Sequence, residues 1–234
     1  MSQGRPTKEV AGEAAAALVR NGSVLGLGTG STVACFLDAL ARRVRDEGLQ
    51  VVGVPTSEET ARHCEEAGIP LTDLDAHPVL DLAIDGADEV DAEFRLIKGG
   101  GGALLREKIV ASAAERVVII VGEGKRVERL CTGFMLPVEI TPFGASVTRR
   151  EVAEVADCQA YLRTGDDGQP FTTDNGNWIL DCGFEGGIED PEALHADLSQ
   201  VPGVVEVGIF LGLCDTVLEG RADGSVVTLE RDDA

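Results

Sequence analysis

The first half of the chain alternates between short apolar runs and segments in which apolar residues recur every three to four positions. The apolar runs predict strands over 23–27, 50–54, 69–71, 79–84, 94–97 and 117–121. The helical periodicity predicts helices over 7–20, 33–45, 58–67 and 103–114. In the last of these, we expect Leu104, Leu105, Ile109 and Val110 on the apolar side. Strands that alternate with helices in this way are typical of an open, mostly parallel α/β sheet.

The order of elements changes in the second half. The pattern predicts strands over 135–140, 159–163, 178–182 and 204–209, with helices over 145–156 and 191–198. This βαββαβ order is that of a ferredoxin-like, split-βαβ unit. Two final runs, 215–219 and 226–230, flank a turn and predict a hairpin that returns to the first sheet. We therefore expect a Rossmann-like catalytic domain over 1–132, an inserted ferredoxin-like α/β lobe over 133–206 and a C-terminal return over 207–234.

A turn rich in glycine and hydroxyl groups follows the first predicted strand. The sequence Gly28-Thr-Gly-Ser-Thr32 lies between that strand and a helix, where backbone N–H groups and the helix dipole favour an anion such as phosphate. A dinucleotide site would also need an acidic residue after the next strand. The chain has Pro55-Thr56-Ser57 there, which argues against a dehydrogenase.

Acidic and basic side chains follow two further strands. Asp85 and Asp88 come after the strand over 79–84, and Lys98 opens the glycine run that ends at Gly102. Glu107 lies in the first turn of the next helix. Open α/β sheets bind ligands beyond the carboxyl ends of their strands, so these residues predict an anion-binding site with its own acid and base. The simpler alternatives are turn capping for the aspartates, a solvated lysine, and a glutamate that stabilises the helix dipole.

The charge balance argues against some classes of binding partner. The formal net charge is −21, which disfavours nucleic acid and anionic membranes. The 20 basic residues include only four lysines, Lys8, Lys98, Lys108 and Lys125. Such a composition predicts a halophilic protein, because ~1 M salt screens charges beyond ~3 Å; an acidic mesophilic protein is the alternative.

The sequence offers no pattern for a metal, a disulfide framework or a membrane span. The six cysteines and three histidines are scattered without ligand spacing, so we expect buried thiols and no metal site. No apolar run approaches the ~18 residues of a membrane helix. The N-terminal residues lack the apolar segment of a signal peptide, and we expect a cytoplasmic protein.

Several motifs, in order along most of the chain, resemble the type A ribose-5-phosphate isomerase family. They are Gly28-Thr-Gly-Ser-Thr32, Asp85-Gly-Ala-Asp-Glu89, Lys98-Gly-Gly-Gly101, Arg106-Glu-Lys108, Leu136-Pro-Val-Glu139, Thr173-Asp-Asn-Gly-Asn177 and Val201-Pro-Gly-Val204. The resemblance implies an aldose–ketose isomerase of the pentose phosphate pathway that interconverts D-ribose 5-phosphate and D-ribulose 5-phosphate. It also implies that no metal or cofactor is needed, and that the protein is a homodimer or homotetramer.

The resemblance also implies the roles of individual residues. Glu107 is the expected general base, with Asp85, Asp88 and Lys98 as the other catalytic residues. The expected substrate-binding residues are Thr29, Gly30, Ser31, Thr32, Asp85, Gly86, Ala87, Asp88, Lys98, Gly99, Gly100, Gly101, Lys125 and Lys8. In this scheme one carboxylate moves a proton between C2 and C1 of the open-chain sugar. Lys98 and glycine N–H groups offset the charge of the enediolate, and the two aspartates open the ring and move hydroxyl protons.

Two other classes of function remain open. An amino-sugar-phosphate deaminase of similar fold should have a catalytic histidine near its carboxylates, and no histidine is placed for that role. A sugar-phosphate sensor domain of a transcription regulator should carry a basic DNA-binding segment, which this acidic chain lacks.

Overall fold

The structure is a computed structural model that describes residues 6–231. The helices are α1 (Thr7–Leu18), α2 (Ser31–Glu47), α3 (Glu58–Ala67), α4 (Leu104–Ser112), α5 (Ala145–Val155) and α6 (Pro191–Ser199). The strands are β1 (Val24–Leu27), β2 (Val52–Pro55), β3 (Leu82–Gly86), β4 (Glu89–Val90), β5 (Leu96–Ile97), β6 (Val117–Gly122), β7 (Leu136–Ile140), β8 (Gln159–Leu162), β9 (Trp178–Gly183), β10 (Val204–Val207), β11 (Ile209–Phe210), β12 (Thr216–Gly220) and β13 (Val226–Glu230).

The chain divides into two compact units. The first contains the chain up to Ala87, the segment Arg106–Lys125 and the chain from Gly212 onward. The second contains Asp88–Leu105 and Arg126–Leu211.

The first unit is built on a six-stranded sheet in the order β13-β12-β6-β3-β1-β2. All neighbouring strands are parallel except β12 and β13, which form an antiparallel hairpin. Every residue of β6 is buried, which explains its continuous apolar sequence, since a central parallel strand is covered on both faces. The predicted open, mostly parallel sheet and the returning C-terminal hairpin are therefore confirmed.

The core of this unit joins the sheet to α1 and α2. Leu25 and Leu27 of β1 pack with Ile84 of β3 and with Phe36 and Leu40 of α2. Full burial of each such apolar side chain contributes about 1.5–3 kcal/mol to the stability of the fold. This packing fixes the carboxyl ends of β1, β2 and β3 at one edge of the sheet, because the three strands are parallel.

The second unit contains a four-stranded antiparallel sheet in the order β10-β7-β9-β8. With α5 after β7 and α6 after β9, this is the arrangement expected of a split-βαβ unit. Val152 of α5 and Leu198 of α6 pack against Val138 and Leu180 of the sheet. A three-stranded sheet in the order β11-β5-β4 completes the unit.

The predicted strand over 204–209 is divided at Gly208. Its N–H donates to the Pro137 carbonyl at 2.8 Å, and its carbonyl accepts the Lys98 N–H at 2.9 Å. A Cβ atom at Gly208 would lie 2.5 Å from the Lys98 carbonyl oxygen, so only glycine fits. The chain therefore leaves the four-stranded sheet after β10 and pairs with β5 as β11.

Other elements differ at their ends. The strand predicted over 94–97 keeps only Leu96 and Ile97, because Phe94 has φ +60° and the Asp91 carboxylate accepts the backbone N–H of Arg95. The short strand β4 was not predicted. The strand predicted over 69–71 is reduced to a single bridge between Leu71 and Gly53.

The units do not follow the boundaries predicted from the sequence. The strands and helices of the four-stranded sheet lie within 133–206 apart from the last residue of β10, but the unit also takes in Asp88–Leu105. The pairing of β5 with β11 explains this, since it joins the segment that carries Lys98 to the end of β10. Lys98 and its glycine run thus belong to the second unit and not to the parallel sheet.

The cysteines are all free thiols. Cys64, Cys131, Cys182 and Cys214 are buried as predicted, whereas Cys35 and Cys158 are partly exposed. Burial raises the pKa of Cys64 to about 12, so this thiol is protonated at neutral pH. Within residues 6–231, no helix is long and apolar enough to cross a membrane, and no group of three or more His, Cys, Asp and Glu side chains is arranged to hold a metal ion.

Candidate active site

The predicted phosphate loop connects β1 to α2 in the first unit. Gly30 has φ +111° and precedes the first residue of the helix, Ser31. Among the described residues, no side chain caps this helix. The first-turn N–H groups are therefore left to bind an anion, and the helix dipole favours the same charge.

Lys8 brings a positive charge to this loop. Its Nζ donates to the Ser31 hydroxyl at 2.7 Å. An ammonium group at this end of the helix adds to the attraction that the first-turn N–H groups exert on a phosphate.

The Thr29 side chain braces the loop from within. Its hydroxyl donates to Ser57 at 2.9 Å and lies 2.7 Å from the Thr56 hydroxyl. Ser57 donates to Thr60, which in turn donates to the Gly28 carbonyl at 2.8 Å. The hydrophobic pattern did not predict this hydroxyl network. Its signal in the sequence is a second group of hydroxyl residues directly after β2, at the same edge of the sheet.

Asp85 fastens the loop to β3. This buried carboxylate accepts the Thr29 N–H at 3.1 Å and the Gly86 N–H at 2.7 Å, both through Oδ1. Gly28 leaves the space that Asp85 occupies, because a Cβ atom there would lie 2.1 Å from Asp85 Oδ1.

Glu107 is buried on α4, although the hydrophobic pattern did not place this position on the apolar side. Only 5% of Glu107 is exposed, whereas Ile109 is 49% exposed; the expectation that Ile109 lies on the buried side is wrong. Burying a carboxylate costs stability, so α4 is not arranged for stability alone. Its neighbour Arg106 lies on the surface and donates to Glu58 at 2.8 Å.

Lys125 follows β6 in the same unit and is partly exposed. Gly124, directly before it, has φ +87° and supplies the turn after the strand.

The second unit holds the glycine loop, residues 98–102, next to Asp88. The Gly100 N–H donates to Asp88 Oδ2 at 2.8 Å, and the Asp88 N–H donates to the Ile97 carbonyl at 2.8 Å. Gly99 and Gly102 have φ +104° and +82°, values that favour glycine.

Lys98 is buried, with 3% of the residue exposed, so it is not a solvated surface lysine. Its Nζ lies 5.6 Å from the centroid of the Phe210 ring, within the range of a cation–π interaction. A buried ammonium group next to a loop of bare backbone is suited to bind developing negative charge.

The geometry connects several of the predicted residues within each unit. In the first unit, direct hydrogen bonds connect Lys8 to Ser31 and Asp85 to Thr29. In the second, Asp88 binds Gly100, and Lys98 begins the same loop. The first unit has buried carboxylates and a helix N-terminus that no described side chain caps, and the second has a buried lysine. Such groups are typical of an α/β enzyme that acts on a small phosphorylated substrate by proton transfer.

Comparison with known proteins identifies the family. The sequence profile described as ribose 5-phosphate isomerase A (phosphoriboisomerase A) matches residues 52–224. Ribose-5-phosphate isomerase A of Roseiflexus castenholzii is 52% identical over 96% of this chain and 95% of its own. The corresponding protein of Parvibaculum lavamentivorans is 49% identical over 93% and 95%. The chain belongs to the ribose 5-phosphate isomerase A family.

Solved structures agree with this assignment. The structure of ribose 5-phosphate isomerase A from Methanocaldococcus jannaschii has a TM-score of 0.90 and 41% identity, covering 96% of this chain and 98% of that chain. A D-ribose-5-phosphate isomerase in complex with phospho-erythronic acid has a TM-score of 0.92 and 38% identity, with the same coverage.

Replacing Gly28 with alanine tests the packing of Asp85. The new Cβ would lie 2.6 Å from Asp85 Cα, which is backbone of β3 and cannot move aside as a side chain can. We expect the free energy of unfolding to fall by about 1–3 kcal/mol, measured by denaturant unfolding.

Gly183→Ala is the control, because a Cβ there meets no atom closer than 3.8 Å. We expect it to change stability by less than about 0.5 kcal/mol. Equal stability of the two variants would contradict the close fit between Gly28 and Asp85.

Proposed function

We propose that this chain interconverts D-ribose 5-phosphate and D-ribulose 5-phosphate through an enediolate, with Glu107 as the base and without a metal ion. The assignment of the reaction is supported by membership of the ribose 5-phosphate isomerase A family. The burial of Glu107 on a helix that exposes Ile109 is the observation that supports the choice of base.

In this proposal the substrate phosphate binds at the N-terminus of α2. The N–H groups from Gly30 to Thr32 donate to its oxygens, and Lys8 and Lys125 supply positive charge. The hydrogen bond from Lys8 to Ser31 supports the assignment of Lys8. Thr29 contributes through its backbone and by holding the loop in shape.

In this proposal, different carboxylates transfer the carbon-bound proton and the hydroxyl protons. Glu107 removes the proton from C2 of the open-chain aldose and delivers it to C1. Asp85 and Asp88 bind the sugar hydroxyls and exchange protons with them during ring opening. Both aspartates accept backbone N–H groups, which hold their carboxylates in place.

Lys98 and the glycine loop stabilise the enediolate. The ammonium group offsets the charge on the two oxygens, and the N–H groups of Gly99 and Gly101 act as further donors. Gly100 contributes by holding Asp88 through its N–H. Preorganised donors of this kind contribute about 3–4 kcal/mol each to transition-state stabilisation.

The ligand of the solved relative supports this view. Phospho-erythronic acid combines a phosphate with a planar carboxylate, and a carboxylate resembles an enediolate in shape and charge. The deaminase alternative receives no comparable support, because in the first unit His63 contacts Asp38 at 2.9 Å and not Asp85.

Proton NMR of ribose 5-phosphate in deuterium oxide, with enzyme and a chelator, tests the reaction. We expect ribulose 5-phosphate to form while deuterium appears at C2 of the aldose, because the base exchanges its proton with solvent. Activity that is lost in chelator and restored only by a divalent ion would contradict the metal-free mechanism.

Glu107→Gln tests the base. The amide cannot accept the C2 proton, so we expect kcat to fall at least ~100-fold while binding of substrate persists. Glu115→Gln, at an exposed glutamate three residues after the end of α4, should keep wild-type kcat. Near wild-type turnover of Glu107→Gln would refute the assignment.

We also propose that the protein is halophilic. A net charge of −21 causes self-repulsion and repels an anionic substrate, and salt screens both effects. We expect the melting temperature and kcat/KM to rise between about 0.1 and about 3 M KCl. If both are flat or fall, the protein is merely acidic.

The family resemblance further leads us to infer a cytoplasmic homodimer or homotetramer.

A further inference from the structure

The guanidinium group of Arg163 binds the glycine loop from behind. Arg163 directly follows β8, and its Nη1 donates to the carbonyl oxygens of Gly99 at 2.9 Å and Gly100 at 3.1 Å. Its Nε and Nη2 donate to the two carboxylate oxygens of Asp181 on β9. Both side chains are largely buried, at 14% and 16% exposure.

Holding these two carbonyls fixes the direction of two N–H groups. A trans peptide unit is planar, and its C=O and N–H point to opposite sides. The Gly99 carbonyl shares a peptide with the Gly100 N–H, which donates to Asp88. The Gly100 carbonyl shares a peptide with the Gly101 N–H, which is directed away from Arg163. Without side chains or favoured dihedrals of their own, glycines depend on such external contacts for a single conformation.

Phe171 completes the support beneath the loop. The Arg163 guanidinium carbon lies 5.8 Å from the centroid of its ring. The same ring occupies the space beside Gly102, where a Cβ atom would lie 2.4 Å from it. The Phe171 N–H donates to the Arg163 carbonyl at 2.9 Å, which fixes the two residues relative to each other.

Arginine is the only side chain that can make all these contacts. The four hydrogen bonds need a planar fork with donors on two edges, whereas lysine has three donors on one atom. Asp181 also neutralises the guanidinium, so the pair adds little net charge to the loop. Its contribution is to hold the loop in place.

We propose that Arg163 is a positioning residue for the reaction: through the Gly99 and Gly100 carbonyls it orients the Gly100 N–H, which holds Asp88, and the Gly101 N–H, which stabilises the enediolate. This inference rests on the proposed function, in which Asp88 exchanges protons with the sugar hydroxyls and the Gly101 N–H donates to a reacting oxygen.

The substitution Arg163→Lys keeps the positive charge but removes the planar set of guanidinium donors. We expect kcat to fall at least about tenfold, a smaller loss than removal of a direct donor, with KM changed less than about threefold. Affinity for phospho-erythronic acid should fall in parallel with kcat/KM, while inhibition by inorganic phosphate, which probes the phosphate loop alone, should not change. Arg163→Met is a second variant, and thermal unfolding checks that each variant folds.

Arg95→Lys is the matched control. Arg95 lies in the same unit and binds the buried Asp91 at 2.6 Å. Its other partners, Glu93 and Glu192, also lie outside the glycine loop. We expect it to lose stability without a selective loss of kcat. The proposal is overturned if Arg163→Lys has the same kinetics as Arg95→Lys, or if phosphate and phospho-erythronic acid lose affinity equally.

A measurement without substrate separates this inference from the proposed function. Amide hydrogen exchange of Gly100 and Gly101 should accelerate in Arg163→Lys and stay unchanged in Arg95→Lys. Unchanged exchange in both variants overturns the positioning role even if the enzyme is an isomerase. If the wild-type protein failed to isomerise ribose 5-phosphate, the proposed function would fail, and faster exchange would still support the hold of Arg163 on the loop.

Discussion

The hydrogen bonds of Asp85 are the constraint on which the phosphate loop of the first unit depends. A single carboxylate oxygen accepts the N–H of Thr29, in the phosphate loop, and the N–H of Gly86, at the end of its own strand. The carboxylate fits only because Gly28 has no side chain. The loop that presents N–H groups to an anion and the acid proposed to act on the sugar are therefore held by one interaction. A change at any of these residues alters both.

Two other buried carboxylates, Glu89 and Glu139, have purely structural roles. Glu89 accepts the N–H groups of Cys131 and Gly133, and Glu139 accepts from Thr173 and Asn177. Each fastens a turn to a strand within the second unit and thereby offsets the desolvation of its charge. The Thr173–Asn177 motif therefore has a structural explanation and does not require a bound ligand.

Hydrophobic pattern was enough to predict most elements, because buried parallel strands form continuous apolar runs and amphipathic helices repeat with a period of 3.6 residues. It failed where a local backbone contact overrides the pattern. Nothing in the apolar run 204–209 reveals that Gly208 carries the chain from one sheet to another, and that switch moves Lys98 into the second unit. The pattern also placed Ile109 inside. The family motif identified Glu107 as a candidate base. That Glu107 is buried while Ile109 is exposed could be seen only in the structure.

Arg163 illustrates why supporting residues escape a reading of the sequence. It lies more than sixty residues from the loop it binds, and an arginine at the end of a strand suggests no more than a surface ion pair. Its proposed role becomes clear when Arg163 is compared with Lys98, because the two cations contribute differently to the loop. Asp181 binds the guanidinium group of Arg163 through both carboxylate oxygens, so Arg163 acts mainly as a rigid set of donors. Lys98 begins the loop itself and contributes an ammonium group near the Phe210 ring. Geometry and charge are thus supplied to one glycine loop by different residues, so that a substitution can remove either without the other.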